Sequence, residues 1–215
     1  MSRLFQFLGI FLLAALVAHL AYVLLLPPRA ANALITDLRQ ALGENAFQVL
    51  NDRTLRRIVR HPVAEATYGA CVLRLDEKSV VLTGPDLRTM WAITVYSPRG
   101  DVIYAVNDRL VPEGQLRVRF EYRKLKTSRG EIALPKLEGR TLILPLQHAT
   151  ALMLLEVWPW HPGQTDLVRQ LVHHMRCLTV APMRPRRRQQ QQAIVPPSKK
   201  IPLPRPRPKR PAGAQ

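Results

Sequence analysis

An apolar run from Leu4 to Leu26, 23 residues interrupted only by Gln6 and His19, constrains this chain more than any other stretch. As a helix it extends roughly 34 Å, enough to cross the hydrocarbon core of a bilayer. A cleaved signal peptide is the competing reading, because Ala31-Asn32-Ala33 resembles a cleavage site. The run is long for a signal core, only Arg3 precedes it, and Pro27-Pro28 separates it from that site, so an uncleaved anchor is favoured. His19 lies about a turn from the downstream end, where a neutral imidazole is tolerated near the headgroups. Arg3 on one side and Arg29 and Arg39 on the other do not fix the orientation by charge. The short leading segment is most simply left in the cytoplasm while the long remainder crosses, which predicts an extracytoplasmic body.

Charge separates a second region. The chain has a formal charge of +17, and ten of its basic residues lie between Arg184 and Arg210 with no acidic residue among them. Nine of the 19 prolines fall between Pro182 and Pro211. Such a composition cannot bury a core and favours extended, solvated backbone. Residues 181–215 are therefore read as a disordered basic tail. Arg184, Arg186, Arg187 and Arg188 form one cluster, and Lys199, Lys200, Arg205, Arg207, Lys209 and Arg210 another. These are candidate polyanion-binding residues acting by counterion release, without aromatic residues on which bases would stack. Outside the cytoplasm the partner would be an anionic envelope polymer or lipid. Inside, it would be phospholipid or nucleic acid.

Between anchor and tail the hydrophobic period changes. Ala30 to Leu42 places Leu34, Ile35, Leu38 and Leu42 at helical spacing, with Gly43 as a stop. A weaker helical pattern continues to His61-Pro62, so residues 29–62 are read as helices behind an anchor of residues 1–28, either packing on the sheet or serving as a helical stalk. From Thr67 the period is two. Trp91, Ile93 and Val95 alternate with polar or small residues, as do Val102, Tyr104 and Val106. Ser97-Pro98-Arg99-Gly100 between them has the residue order of a type I turn, which makes this stretch a β-hairpin. Cys71-Leu73-Leu75, Val80 to Thr83, Leu116 to Tyr122, Leu142 to Leu146 and Ala151 to Val157 supply further strands, the outer face of Leu116 to Tyr122 being charged and wet. Lys124 to Gly130 reads as an exposed basic loop. Leu142 to Trp160 is apolar, but its prolines and polar residues make a buried strand pair rather than a second span. Thr165-Asp166 opens a helix whose apolar face runs from Leu167 to Leu178. Six or seven short strands predict a mainly β protein: an antiparallel β-sandwich or jelly-roll-like body, residues 63–180, with flanking helices behind one transmembrane helix.

The ordered set Cys71-Val72-Leu73-Arg74-Leu75, Gly84-Pro85, Trp91 to Tyr96, Gly100, and Tyr104 to Asp108 resembles the small membrane-anchored members of an uncharacterised bacterial family. That family carries the label domain of unknown function, twelve fifty-four. The resemblance covers roughly residues 30–178 and implies a β-sandwich at the bacterial inner membrane. It implies no activity, substrate or catalytic residue.

The residues themselves name no reaction. No nucleophile stands beside a base, no glycine-rich loop cradles phosphate, and no cofactor is expected. His161, His173, His174 and Cys177 have ligand-type side chains, but no second pair is spaced to complete a metal site. Asp101, Asn107 and Asp108 are most simply turn residues. Trp91, Trp158 and Trp160 either close a sheet edge or form a ligand platform. Cys71 and Cys177 are the only cysteines, and in an oxidising compartment they are the candidate disulfide. The expected function is an envelope interaction or structural module anchored through residues 4–26, with no protein partner identified. The alternatives are an enzyme acting on an envelope substrate and a membrane-tethered nucleic-acid binder.

Overall fold

The structure, a computed structural model, describes residues 2–76, 78–111, 114–123 and 134–181. The basic tail and the Lys124 to Gly130 loop lie outside the described residues. Helix α1 (Ser2–Leu42) runs without a break through Pro27 and Pro28. The boundary expected at residue 28 is therefore absent from the helix. Each proline removes one helical hydrogen bond, freeing the carbonyls of Val23 and Leu24 where the apolar run gives way to Arg29. The helix continues because Ile35 and Leu38, 5% and 0% exposed, are held against the body. It stops at Gly43, whose φ of +85° suits glycine and whose N–H donates to the Arg39 carbonyl at 3.0 Å.

The remaining elements are β1 (Phe47–Val49), α2 (Asp52–Ile58), β2 (Thr67–Arg74), β3 (Ser79–Gly84), β4 (Met90–Tyr96), β5 (Val102–Asn107), β6 (Leu116–Tyr122), β7 (Lys136–Glu138), β8 (Thr141–Leu146), β9 (Thr150–Trp158), α3 (Thr165–His173) and β10 (Arg176–Val180). They form two five-stranded sheets, in the orders β1-β2-β9-β4-β5 and β10-β3-β6-β8-β7. The β4–β5 hairpin has Val95 opposite Tyr104. At its turn Gly100 has φ +88°, its N–H donates to Ser97 O at 2.9 Å, and Ser97 Oγ accepts from the N–H groups of Arg99 and Asp101.

Three expectations are corrected. The second sheet is mixed, because β6 and β8 run parallel with Val118 beside Leu142. The short strand β7, which carries only three residues and no clear period, pairs antiparallel with β8 and occupies the edge. Strands β8 and β9 are not a pair: β8 sits between β6 and β7, and β9 between β2 and β4. Finally, α3 ends at His173. Met175 is buried, whereas Leu167 and Leu178 are about half exposed and belong to no apolar face of the helix. Residues 176–180 instead extend as β10 beside β3.

Inward residues from both sheets share one core, including Leu73, Leu82, Ile93, Phe120, Leu144 and Met153, with Val168, Val172 and Met175 closing it. A second core lies on the opposite face of the first sheet, where Tyr68, Ala70, Val72, Leu152 and Leu154 meet Ile35, Leu38, Leu50 and Leu55. Of the two expectations for residues 29–62, the structure shows packing on the sheet. The cause is in β2: Thr67 through Leu73 are all buried, so both faces of that strand need cover. The Phe47 ring lies against Gly69, where even a Cβ would come within 2.1 Å of its Cζ.

Candidate functional site

An open cleft of about 770 Å³ lies at the end of the strands where β4 begins and β5 ends. Its floor is apolar: Leu87, Trp91, Val111 and Leu116 are all buried. Its rim carries Asp86, Arg88, Asp108, Arg109 and Trp160. The loop after β3 is folded by Asp86, whose Oδ1 accepts from the Arg88 N–H at 3.2 Å and whose Oδ2 lies 3.5 Å from Arg88 Nε. Arg88 adopts the left-handed region, with φ of +46°, a conformation that few non-glycine residues take. Two bonds hold this loop to the end of β9. The Trp160 indole N–H donates to the Arg88 carbonyl at 3.0 Å, and the Thr89 hydroxyl donates to the Trp158 carbonyl. The opposite rim is the helical turn Asp108–Leu110.

This arrangement gathers Asp108, Trp91 and Trp160 from the residues singled out by sequence. It leaves Asp101 apart, because β5 separates them. Asp101 Oδ2 lies 3.1 Å from Ser97 Oγ and serves the hairpin turn. Asp86, Arg88 and Arg109 have no signal in the sequence beyond ordinary loop polarity; the fold alone brings them to one rim. The rim holds carboxylates, guanidiniums and an indole, which bind and orient; among the described residues it has no nucleophile–base pair. His173 and His174 are exposed, so His174 does not line the apolar face of α3. Among the described residues no three His, Cys, Asp or Glu side chains are grouped to hold a metal.

Cys71 and Cys177 are bonded to each other, with Cα atoms 6.9 Å apart, and both are buried. Cys177 sits opposite Leu82 within β10 rather than at a helix end. The bond joins β2 of one sheet to β10 of the other across the shared core.

A third cluster lies under the helices on the first sheet. Tyr68 O–H donates to Glu156 Oε1 at 2.5 Å and accepts from the Val63 N–H at 3.0 Å. Burial first, then the hydrogen bond to the Glu156 carboxylate, pushes the Tyr68 phenol up to about 12. Tyr96 is raised for the same reasons, burial first and then the charge of Glu156. Tyr104, whose hydroxyl donates to Pro145 O at 2.8 Å, is raised by burial. The bonds of Tyr68 fasten the segment before β2 to β9.

No family model matches the chain, and no curated protein matches it either. Similar solved structures include two whose proteins are uncharacterised. The VPA0106 protein from Vibrio parahaemolyticus shares 8% identity at a TM-score of 0.49, over 74% of this chain and 37% of that one. An uncharacterised protein from Burkholderia cenocepacia shares 14% at 0.44, over 68% of this chain and 38% of that one. The chain spans little more than a third of the length of either structure.

Proposed function

We propose that this chain is a single-span membrane-anchored protein of the bacterial envelope, whose β-sandwich body is an interaction or structural module outside the cytoplasm. The reading rests above all on α1. Its first half presents Leu4, Phe5, Phe7, Ile10, Phe11, Leu13, Leu16 and Leu20 with no cover from the body, in a stretch with no buried residue and a mean hydropathy of 2.5. The end of the same helix, Leu34 to Leu42, is built into the second core, so an anchor in the bilayer would hold the body without a flexible joint. The Cys71–Cys177 bond supports an oxidising compartment. The family resemblance agrees with this reading. The basic residues between Arg184 and Arg210 then meet an anionic envelope polymer or lipid headgroups, with binding that weakens steeply as salt rises.

The test is a reporter fused after Gln215 of the full chain, with alkaline phosphatase in one version and a cytoplasm-dependent fluorescent protein in the other. Active phosphatase together with a membrane-bound product that resists alkaline extraction supports the reading. Cytoplasmic fluorescence alone overturns the compartment, and a fully soluble product overturns the anchor.

A further inference from the structure

The cleft between the Asp86–Met90 loop and the Asp108–Leu110 turn has a chemistry that narrows its ligand. It stands clear of α1. A Cβ on Gly100, at the other end of the β4–β5 hairpin, would lie 3.0 Å from Ala31 Cβ, so α1 meets the body at that end. Seven-residue β4 puts the cleft roughly 20 Å away along the strand. A ligand in the cleft therefore meets neither the helix nor, in an anchored protein, its bilayer.

We propose that this cleft binds a neutral saccharide chain, with Trp160 as the stacking platform. The indole N–H of Trp160 is already occupied by the Arg88 carbonyl, so what the side chain offers a ligand is its ring face, and the residue is 57% exposed. A flat aromatic face with its polar edge satisfied packs against another apolar surface, and the C–H face of a pyranose ring is such a surface. The rim supplies the rest. Asp86 and Asp108 accept hydrogen bonds; Arg88 and Arg109 donate them. Sugar hydroxyls do both, and so satisfy both kinds of group at once. Among the described lining residues, two carboxylates and two guanidiniums balance in charge. A net anion would face the carboxylates and a net cation the guanidiniums, each at a cost that a neutral ligand avoids. The left-handed backbone at Arg88 fits this assignment. It turns the Arg88 carbonyl to the indole while leaving the guanidinium side chain 87% exposed at the rim, and backbone of this kind persists where the surroundings impose it. The cavity volume lies within the range that encloses small ligands.

The inference deepens the interaction-module reading by giving the module a ligand, and its test does not depend on which side of the membrane the body lies. Full-length protein in detergent micelles is titrated with a neutral chito-oligosaccharide and, separately, a neutral gluco-oligosaccharide, read by tryptophan fluorescence and by calorimetry. Saturable binding of at least one is expected. Trp160→Ala should weaken it about tenfold or more, as loss of a stacking anchor does. Trp160→Phe should retain part of the affinity, Asp108→Asn and Arg109→Ala should each weaken binding several-fold, and Asp101→Asn should leave it unchanged. If Trp160→Ala melts differently from the parent, the Asp108 and Arg109 variants carry the decision. Absence of binding by both saccharides overturns the proposal, as does binding that all three rim variants leave intact. Saccharide binding combined with a cytoplasmic reporter result would keep this inference and remove the envelope assignment.

Discussion

The two sheets have the same number of strands and share a core, but their outer faces differ. On the first sheet, Tyr68, Ala70, Val72, Leu152 and Leu154 point away from the shared core and are buried again under α1 and α2. On the second, β6 points Arg117, Arg119 and Glu121 outward, and the edge strand β10 leaves Leu178 about half exposed. The difference shows what the segment between the apolar part of α1 and β2 does: it supplies the second layer that an apolar sheet face requires. The other face has no helical layer among the described residues: its outward side chains mix charged Arg117, Arg119 and Glu121 with apolar Val81 and Ile143, which flank Arg119 and are buried, so the face is not all wet. Arg119 Nε and Glu121 Oε1 lie 2.9 Å apart with side chains only 13% and 11% exposed, contrary to the solvated face expected from alternation. The two atoms are close enough to attract as charges but lack hydrogen-bond geometry, and neither has another bonded partner.

Breaking the link between the sheets should have the largest effect. The cysteines are 106 residues apart in sequence, and closing a loop of about that size stabilises by up to about 4.7 kcal/mol in the chain-entropy model, with about 2–5 kcal/mol lost when a native bond is removed from a small domain. Cys71→Ser with Cys177→Ser, compared with the parent by denaturant unfolding, should show a loss in that range. A change below about 1 kcal/mol would mean that the sheets are held by their core alone.

The next largest effect separates the two outer faces directly. Leu38 is 0% exposed under the first sheet, so Leu38→Ala should cost about 2–5 kcal/mol. Leu178→Ala on the second sheet removes a side chain already 49% exposed and should cost no more than about 0.5 kcal/mol. Equal melting shifts for the two variants would contradict a structural role for the end of α1. The same contrast explains what the sequence reveals. Strand β6 alternates apolar with charged residues, so Leu116, Val118 and Phe120 stand out by their two-residue period. The β4–β5 hairpin is legible for that reason and because Ser97-Pro98-Arg99-Gly100 specifies its turn. Strand β2 is buried on both faces, so its apolar run reports a strand but not what covers it. The α1 residues that do so carry an ordinary helical period compatible with a stalk. The parallel β6–β8 pairing has no local signature, since register between strands separated by a crossover is set by the whole fold. The cleft is the least legible feature, because its rim draws on three separated segments around residues 86, 108 and 160.

A smaller effect is expected from the ion pair on the second sheet. Pairs exposed to solvent contribute about 0–1 kcal/mol, and breaking a fully buried one costs about 3–5 kcal/mol. Arg119 and Glu121 lie between these limits, and Arg119 Nη2 keeps its bonds to Ala181 O at 2.9 Å and Ser79 Oγ at 3.3 Å when the carboxylate is lost. Glu121→Gln should therefore cost about 1–2 kcal/mol, with a double-mutant cycle against Arg119→Met isolating the coupling. No coupling would restore the picture of a wholly solvated face.

The gentlest test of the covered face is alkaline pH, where only one proton need move. Tyr68 is 3% exposed and bonded to Glu156 and to the Val63 N–H, and its folded value of about 12 lies above the ordinary 10.0. The neutral phenol is the form the fold prefers, so the folded chain holds its proton more tightly than the unfolded chain. By linkage, the stabilisation this provides is complete below pH 10 and is lost as pH rises from 10 towards about 12. Tyr68→Phe keeps the ring in the second core but removes the titrating group together with its two hydrogen bonds. The variant should be less stable than the parent below pH 10, and the gap should narrow progressively between pH 10 and 12, as the parent loses an advantage that the variant never had. Thermal melts of both proteins across that interval measure the gap, and the onset of tyrosinate absorbance in the parent reports the ionisation itself. A constant gap would mean that Tyr68 ionises as freely as an exposed tyrosine, and that water reaches the first sheet's outer face as readily as it reaches the second's.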